Sequence, residues 1–233
     1  MAAPQANITA SARRTRGKFF YLFLAQILLV VLFPYLDKPG IRIFLFRFLA
    51  AGAFVSAVYA VSEKRAQWIT ALALAVPAAI LNALFTFRPH SNLGVFSLIF
   101  TILFLAYTLM TLLRAVLRAE AVTLDTIYGA ISVYLLMAMV WGTAYMLLET
   151  LQPGALSMDS ARHPNHEVDW FDCMFFSFVT LTSTGYGDMV PVTAQGRSLS
   201  ILEAVSGIMY VAILIARLVG VYASNRPGQN PER

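Results

Sequence analysis

The chain has 233 residues, 59% of them apolar and 12% charged, where a soluble domain carries about 45–50% and 25%. The few polar side chains cannot cover that much apolar surface, which excludes a soluble enzyme and a disordered chain; the single cysteine, Cys173, excludes a disulfide scaffold or a cysteine-rich metal cluster. A formal net charge of +5 would suit a nucleic-acid partner, but the placement of the charges points elsewhere.

A bilayer core takes about 20 apolar residues per helix. In chain order, five runs meet that length with few charges: 19–36, 41–61, 68–87, 93–113 and 126–148. A sixth, 199–222, carries Glu203 and Arg217. The first run follows a basic stretch but is too long for a signal-peptide core and lacks a small-residue cleavage site, so it reads as a true span. The connections 37–40, 62–67 and 88–92 are short, which makes successive spans antiparallel neighbours. Pro77 is expected to kink the third span and Asn82 to bond a neighbouring helix. Residues 114–125 read as an interfacial linker, with Arg118, Glu120 and Asp125 toward water.

Counting Lys and Arg at the loops orients the bundle. One side receives Arg13, Arg14, Arg16, Lys18, Lys64, Arg65, Arg114, Arg118, Arg217, Arg226 and Arg233, and the other Lys38, Arg42, Arg88, Arg162 and Arg197. Eleven against five places both termini in the cytoplasm and 149–197 outside. The outer side also holds Asp37, Glu149, Asp159, Glu167, Asp169, Asp172 and Asp188, an acidic face that concentrates cations. The sequon at Asn7 falls on the cytoplasmic side and is discounted, and His163 and His166 read as solvated loop residues.

Between the fifth and sixth spans lies DWFDCMFFSFVTLTSTGYGDMVP, residues 169–191. Its aromatic and apolar part, 170–182, is too short to span and suits a re-entrant helix. Ser183, Thr184, Gly185, Tyr186, Gly187 and Asp188 follow. Two glycines around a tyrosine end a helix, and irregular backbone at membrane depth survives only where it is buried in protein or lines a water-filled cavity. The segment therefore reads as a loop that enters and leaves the membrane on one side.

This stretch resembles the potassium-channel family, in which four TVGYG loops present carbonyl oxygens in place of an ion's hydration shell. Thr182 to Asp188 fall on the family's TTVGYGD, and the likeness runs on through Pro191, Gly196, Arg197 and Gly207, covering about 126–222. The resemblance implies an all-α membrane protein of six transmembrane helices plus a re-entrant pore helix and selectivity filter, closed into a homotetramer. It divides the chain into a cytoplasmic segment 1–18, a four-span membrane domain 19–113, the linker 114–125, a pore domain 126–222 and a tail 223–233. Its filter would be Ser183, Thr184, Gly185, Tyr186 and Gly187, supported by Thr182, Asp188 and Glu203. Ser183 stands where the family usually has Thr and Thr184 where it has Val; the Thr184 hydroxyl needs a hydrogen-bond partner behind the filter.

Six spans with a pore loop also resemble the voltage-gated layout, but 93–113 holds no Lys or Arg, so no usual voltage sensor is expected. Arg42 and Arg47 in the second span read as a snorkelling residue and a bundle-internal pair. Glu203 is a functional candidate by its depth, bonding the pore helix or Thr184, or staying protonated. Gly207 eases bending of the inner helix, and Val211, Ile215 and Val219 form a four-step stripe that could close the pore as a hydrophobic gate. The implied function is passive potassium conduction across a cell membrane, with the lipid bilayer and copies of the chain itself as partners. No nucleic acid, no enzymatic activity, no cofactor beyond the permeant potassium ion and no ligand-sensing domain in the eleven-residue tail are expected. A weakly selective cation channel and a non-conducting membrane scaffold or accessory subunit remain as alternatives.

Overall fold

The computed structural model describes residues 18–32, 57, 65–87, 91–158 and 168–224. These form α1 (Lys18–Leu32), α2 (Arg65–Phe87), α3 (Ser91–Arg118), α4 (Leu124–Leu151), β1 (Leu156–Met158), α5 (Trp170–Leu181), β2 (Met189–Pro191) and α6 (Ala194–Ser224). Among the described residues, α2, α3, α4 and α6 are long and apolar enough to cross a membrane, while α1 and α5 are shorter apolar helices. The expected span 41–61, with Arg42 and Arg47, lies outside the described residues apart from Ala57, as do Asn7, His163 and His166.

The all-α expectation needs one correction. A two-stranded antiparallel sheet pairs Leu156 with Pro191, Ser157 with Val190 and Met158 with Met189. Strands of three residues carry too little alternation to be read from sequence. Glu149 prepares the turn into β1: its carboxylate accepts from the amides of Gly154 (2.6 Å) and Leu156 (3.0 Å).

The linker read over 114–125 is also shorter than expected. Residues 114–118 complete α3 and 124–125 open α4, leaving 119–123 as the connection. The helical period explains this: Leu112 and Val116, one turn apart, are both buried, so the last turns of α3 keep an apolar stripe while Arg114 and Arg118 emerge beside it. The next helix begins at Thr123, whose hydroxyl accepts from the amide of Thr126 (3.2 Å) as an N-cap. The helix α2 runs unbroken through Pro77.

The hub is α4, which packs against α1, α3, α5 and α6, while α3 also carries α2. Its buried residues Val133, Leu136 and Ala138 join Leu22 and Leu29 of α1, Phe104 and Leu112 of α3, Met174 and Leu181 of α5 and Tyr210 of α6 in one core. Lipid is as apolar as leucine, so helices in a bilayer are held by close packing and by hydrogen bonds between them. Both occur here. The Tyr210 hydroxyl donates to the Ala130 carbonyl (2.7 Å), Tyr107 donates to the Gln67 carbonyl (3.3 Å) and the Gln26 amide donates to the Ser132 carbonyl (3.3 Å). A Cβ on Gly142 would lie 3.0 Å from the Met174 backbone, so the missing side chain lets α4 and α5 approach closely.

Removing the hydroxyl in Tyr210→Phe keeps the ring but strands the α4–α6 bond. It should destabilise the detergent-solubilised protein by about 0.6–1.5 kcal/mol, read as a small fall in unfolding midpoint; an unchanged midpoint would show that this bond contributes nothing.

Candidate functional site

The short helix α5 organises the site. Its N-terminus is locked by a reciprocal capping box: Asp169 accepts from the amides of Phe171 (2.8 Å) and Asp172 (3.0 Å), and Asp172 accepts from the Asp169 amide (2.8 Å). Twelve residues give a length of about 18 Å, short of the roughly 30 Å bilayer core. The helix ends at Thr182, where the glycine-bracketed segment starts.

That segment hangs from the last turn of α5 by its own amides. Ser183 N donates to the Thr180 carbonyl (2.9 Å), and both Thr184 N (2.9 Å) and Gly185 N (3.4 Å) donate to the Val179 carbonyl. The backbone then alternates in hand. Ser183, Gly185 and Gly187 have φ of 57°, 60° and 77°, while Thr184 and Tyr186 stay on the ordinary side. Such an alternation of left- and right-handed residues allows successive carbonyls to turn toward one side. Glycine adopts the left-handed region freely; Ser183 does so at a cost of about 1–2 kcal/mol. Residues held this way gather at functional sites.

The Thr184 hydroxyl finds the partner its position requires. It lies 2.9 Å from Thr182 Oγ1, which itself donates to the Phe178 carbonyl (2.7 Å). Thr182 has one hydroxyl proton, so Thr184 is the donor in this pair. Tyr186 stacks on Phe175 of α5 with centroids 6.0 Å apart and rings 8° from parallel, yet it is 68% exposed in the single chain. Asp188 is half-buried at the end of the strand.

Glu203 lies on α6 and is fully buried. It bonds Ser177 of α5, as one of the expected alternatives had it, and accepts from the Tyr145 hydroxyl of α4 (2.6 Å); it does not contact Thr184, the other. One turn along α6, Gly207 faces the end of α5, where a Cβ would come to 2.3 Å from the Leu181 carbonyl oxygen. The absent side chain therefore serves a close crossing of two backbones. The Tyr134 hydroxyl donates to the same carbonyl (3.2 Å). Val211, Ile215 and Val219 are all exposed in the single chain, but so is most of α6: Ile213 at 48% compares with Ile215 at 56%. Exposure does not separate the stripe from its neighbours. Among the described residues no group of three or more His, Cys, Asp or Glu could hold a metal ion.

The sequence reading missed Tyr145 and Ser177, which are 58 and 26 residues from Glu203 and carry no local motif. It also missed the capping box, for which the acids at 169 and 172 ahead of an aromatic run were a readable signal.

The family described as Ion channel matches residues 133–224. A Bacillus caldotenax protein, LctB, is 30% identical over 104 residues, covering 42% of this chain and 72% of that protein. The chain belongs to the potassium channel family. Probable potassium channel protein 2 of Methanocaldococcus jannaschii is 42% identical over 55 residues, 22% of this chain and 16% of that protein. The rat potassium voltage-gated channel subfamily A member 5 is 31% identical over 61 residues, 26% of this chain and 10% of that protein. The chain thus spans under a fifth of these last two relatives. The matched region of this potassium channel family member begins within α4 and ends with α6, and it contains the whole 182–188 strand, Glu203 and Gly207.

In Gly207→Ala the added methyl meets a carbonyl oxygen and the Leu181 side chain. The two helices must separate, at about 1–3 kcal/mol. The purified variant should unfold earlier than wild type, and equal stability would show that α6 and α5 do not cross this closely.

Proposed function

We propose that the chain is a passive potassium-selective channel that works as a homotetramer. Four copies of the strand 183–187 surround one axis and supply the ion-binding oxygens. The observation that carries this reading is the alternating backbone of TSTGYGD, hung by its amides on α5. Those amides turn to Thr180 and Val179, which leaves the carbonyls of Ser183, Thr184, Gly185, Tyr186 and Gly187 free to replace water around potassium. The Ser183 hydroxyl adds an oxygen at the inner end. The C-terminus of α5 ends at this strand, and the negative end of a helix favours a cation. One strand per chain, with Tyr186 and most of α6 exposed in isolation, supports assembly around an axis.

In this reading the bundle has six spans with 41–61 as the second, α5 is a re-entrant pore helix, and both termini face the cytoplasm of a cell whose membrane it crosses. The pore domain is 126–222, attached to the four-span domain 19–113 through 114–125, of which 119–123 is the non-helical part. Thr182, Asp188 and Glu203 support the filter, and no cofactor is required beyond the permeant ion. Reconstitution in liposomes tests this. Potassium flux with sodium largely excluded is the expected result. Equal fluxes would identify a weakly selective cation channel, and no flux from folded protein would identify a scaffold.

At Gly185 and Gly187 nothing lies within 4 Å of an added Cβ, so alanine there acts through the positive φ alone. Gly185→Ala and Gly187→Ala should abolish potassium flux while membrane insertion persists; normal selective current from either would sink the filter assignment.

The gate is assigned to Val211, Ile215 and Val219, where a ring of apolar side chains closes the pore by dewetting. Ile215→Asn should hydrate it and raise resting potassium flux. In a Cys173→Ser background, cysteines at 211, 215 and 219 should react with a thiol reagent added from the cytoplasmic side. Reaction at 213 and 214 but not at these three would place the gate elsewhere.

A further inference from the structure

The buried cluster around Glu203 can be resolved by counting protons. Four short contacts run through it. Ser177 Oγ lies 2.8 Å from the Ala138 carbonyl and in hydrogen-bond contact with Glu203 Oε1. The Tyr145 hydroxyl lies 2.6 Å from Glu203 Oε2, and Ser200 Oγ lies 3.0 Å from the Gly196 carbonyl. Each contact needs one proton, and the hydroxyls of Ser177, Tyr145 and Ser200 supply three. Four less three leaves one proton to be found.

The carbonyls fix where the others go. Ala138 and Gly196 oxygens only accept, so Ser177 and Ser200 donate to them. Ser200 then offers only lone pairs to Tyr145, 3.3 Å away, and the Tyr145 proton lies on the shorter contact to Oε2. The Ser177–Glu203 contact is left with two oxygens and no hydroxyl proton. With an ionised Glu203, Ser177 would have to release Ala138, leaving two oxygens 2.8 Å apart with nothing between them, or face a bare carboxylate oxygen. Both are costly away from water.

We propose that Glu203 is a neutral carboxylic acid whose proton sits on Oε1 and is donated to Ser177. It is a positioning residue that clasps α6 to α5, the helix from which 183–187 hangs. The surroundings agree. Glu203 is fully buried within one chain, so no neighbouring copy reaches it. Among the described residues, the titratable groups facing it are Tyr145 and Tyr134 of α4, neither of which can bring a positive charge. The grip on the filter side is direct: Ser177 lies two residues before Val179, whose carbonyl holds the amides of Thr184 and Gly185. The effect on selectivity rests on the conduction proposed above, while the protonation state does not.

Infrared spectroscopy of the full-length protein in liposomes at neutral pH tests the proton itself. The wild-type minus Glu203→Gln difference should contain the carbonyl stretch of a protonated carboxylic acid; carboxylate bands in its place would overturn the proposal. Should the glutamine variant not fold, Ser177→Ala provides the second comparison. It should keep the acid band but shift it, because its acceptor is gone, and no change in the acid region would overturn the proposal. Flux tests the positioning role. Glu203→Ala should lower the potassium-to-sodium flux ratio about tenfold, the loss of roughly 1.4 kcal/mol of discrimination. Glu203→Gln should restore most of it, because an amide also donates to Ser177 and accepts from Tyr145. A folded Glu203→Gln as impaired as Glu203→Ala would show that a charge is required. Failure of the wild type to conduct would overturn the positioning role, with the infrared result still deciding the proton.

Discussion

The Val179 carbonyl receives two amides, those of Thr184 and Gly185, and much of the molecule is arranged so that it can. A strand with alternating backbone hand has no ladder or helix of its own to satisfy its N–H groups, and in a bilayer an unsatisfied N–H costs several kcal/mol. The strand survives because α5 ends beside it with free carbonyls, as every helix does. The helix must therefore be held in place at both ends and along its side. The capping box fixes its start, the Gly142 crossing and the Ser177 bond to Ala138 fix its flank, and Tyr134 and Gly207 fix its end.

The same arrangement sets which parts of the chain are finished and which are not. Residues that touch α5 from α4 are buried or half-buried within one chain, whereas the strand itself and the outer faces of α6 are open. Exposed apolar surface on that scale belongs against lipid or another protein. The internal supports are thus complete before any further contact is made.

Much of the site was legible because its signals are local. Seven consecutive residues, Thr182 to Asp188, carry the strand, and the length of 170–182 alone sets its helix apart from those long enough to cross a membrane. The four described helices long enough to cross a membrane followed from composition for the same reason. What could not be read depends on pairs far apart in sequence or on backbone hand. Nothing near Tyr145 announces Glu203, Ser183 does not look like a left-handed residue, and Gly207 reads as a flexible point although its neighbour Leu181 makes it a packing point. The end of α3 is hard to read because Arg114 and Arg118 look like a polar linker, whereas the stripe through Leu112 and Val116 continues the helix beneath them.

At the far end of α6, Arg217 donates to the carbonyls of Leu117 (3.0 Å) and Ala119 (3.2 Å), at the last turn of α3. With 31 residues, α6 is about 46 Å long, well beyond the roughly 30 Å hydrocarbon core. A helix that long has no depth fixed by its own hydrophobicity and would answer a thinner membrane by tilting alone. The guanidinium denies it that freedom. It fastens the end of α6 to the end of a second helix, so the two must lean together as bilayer thickness changes, and lipid composition acts on the pair.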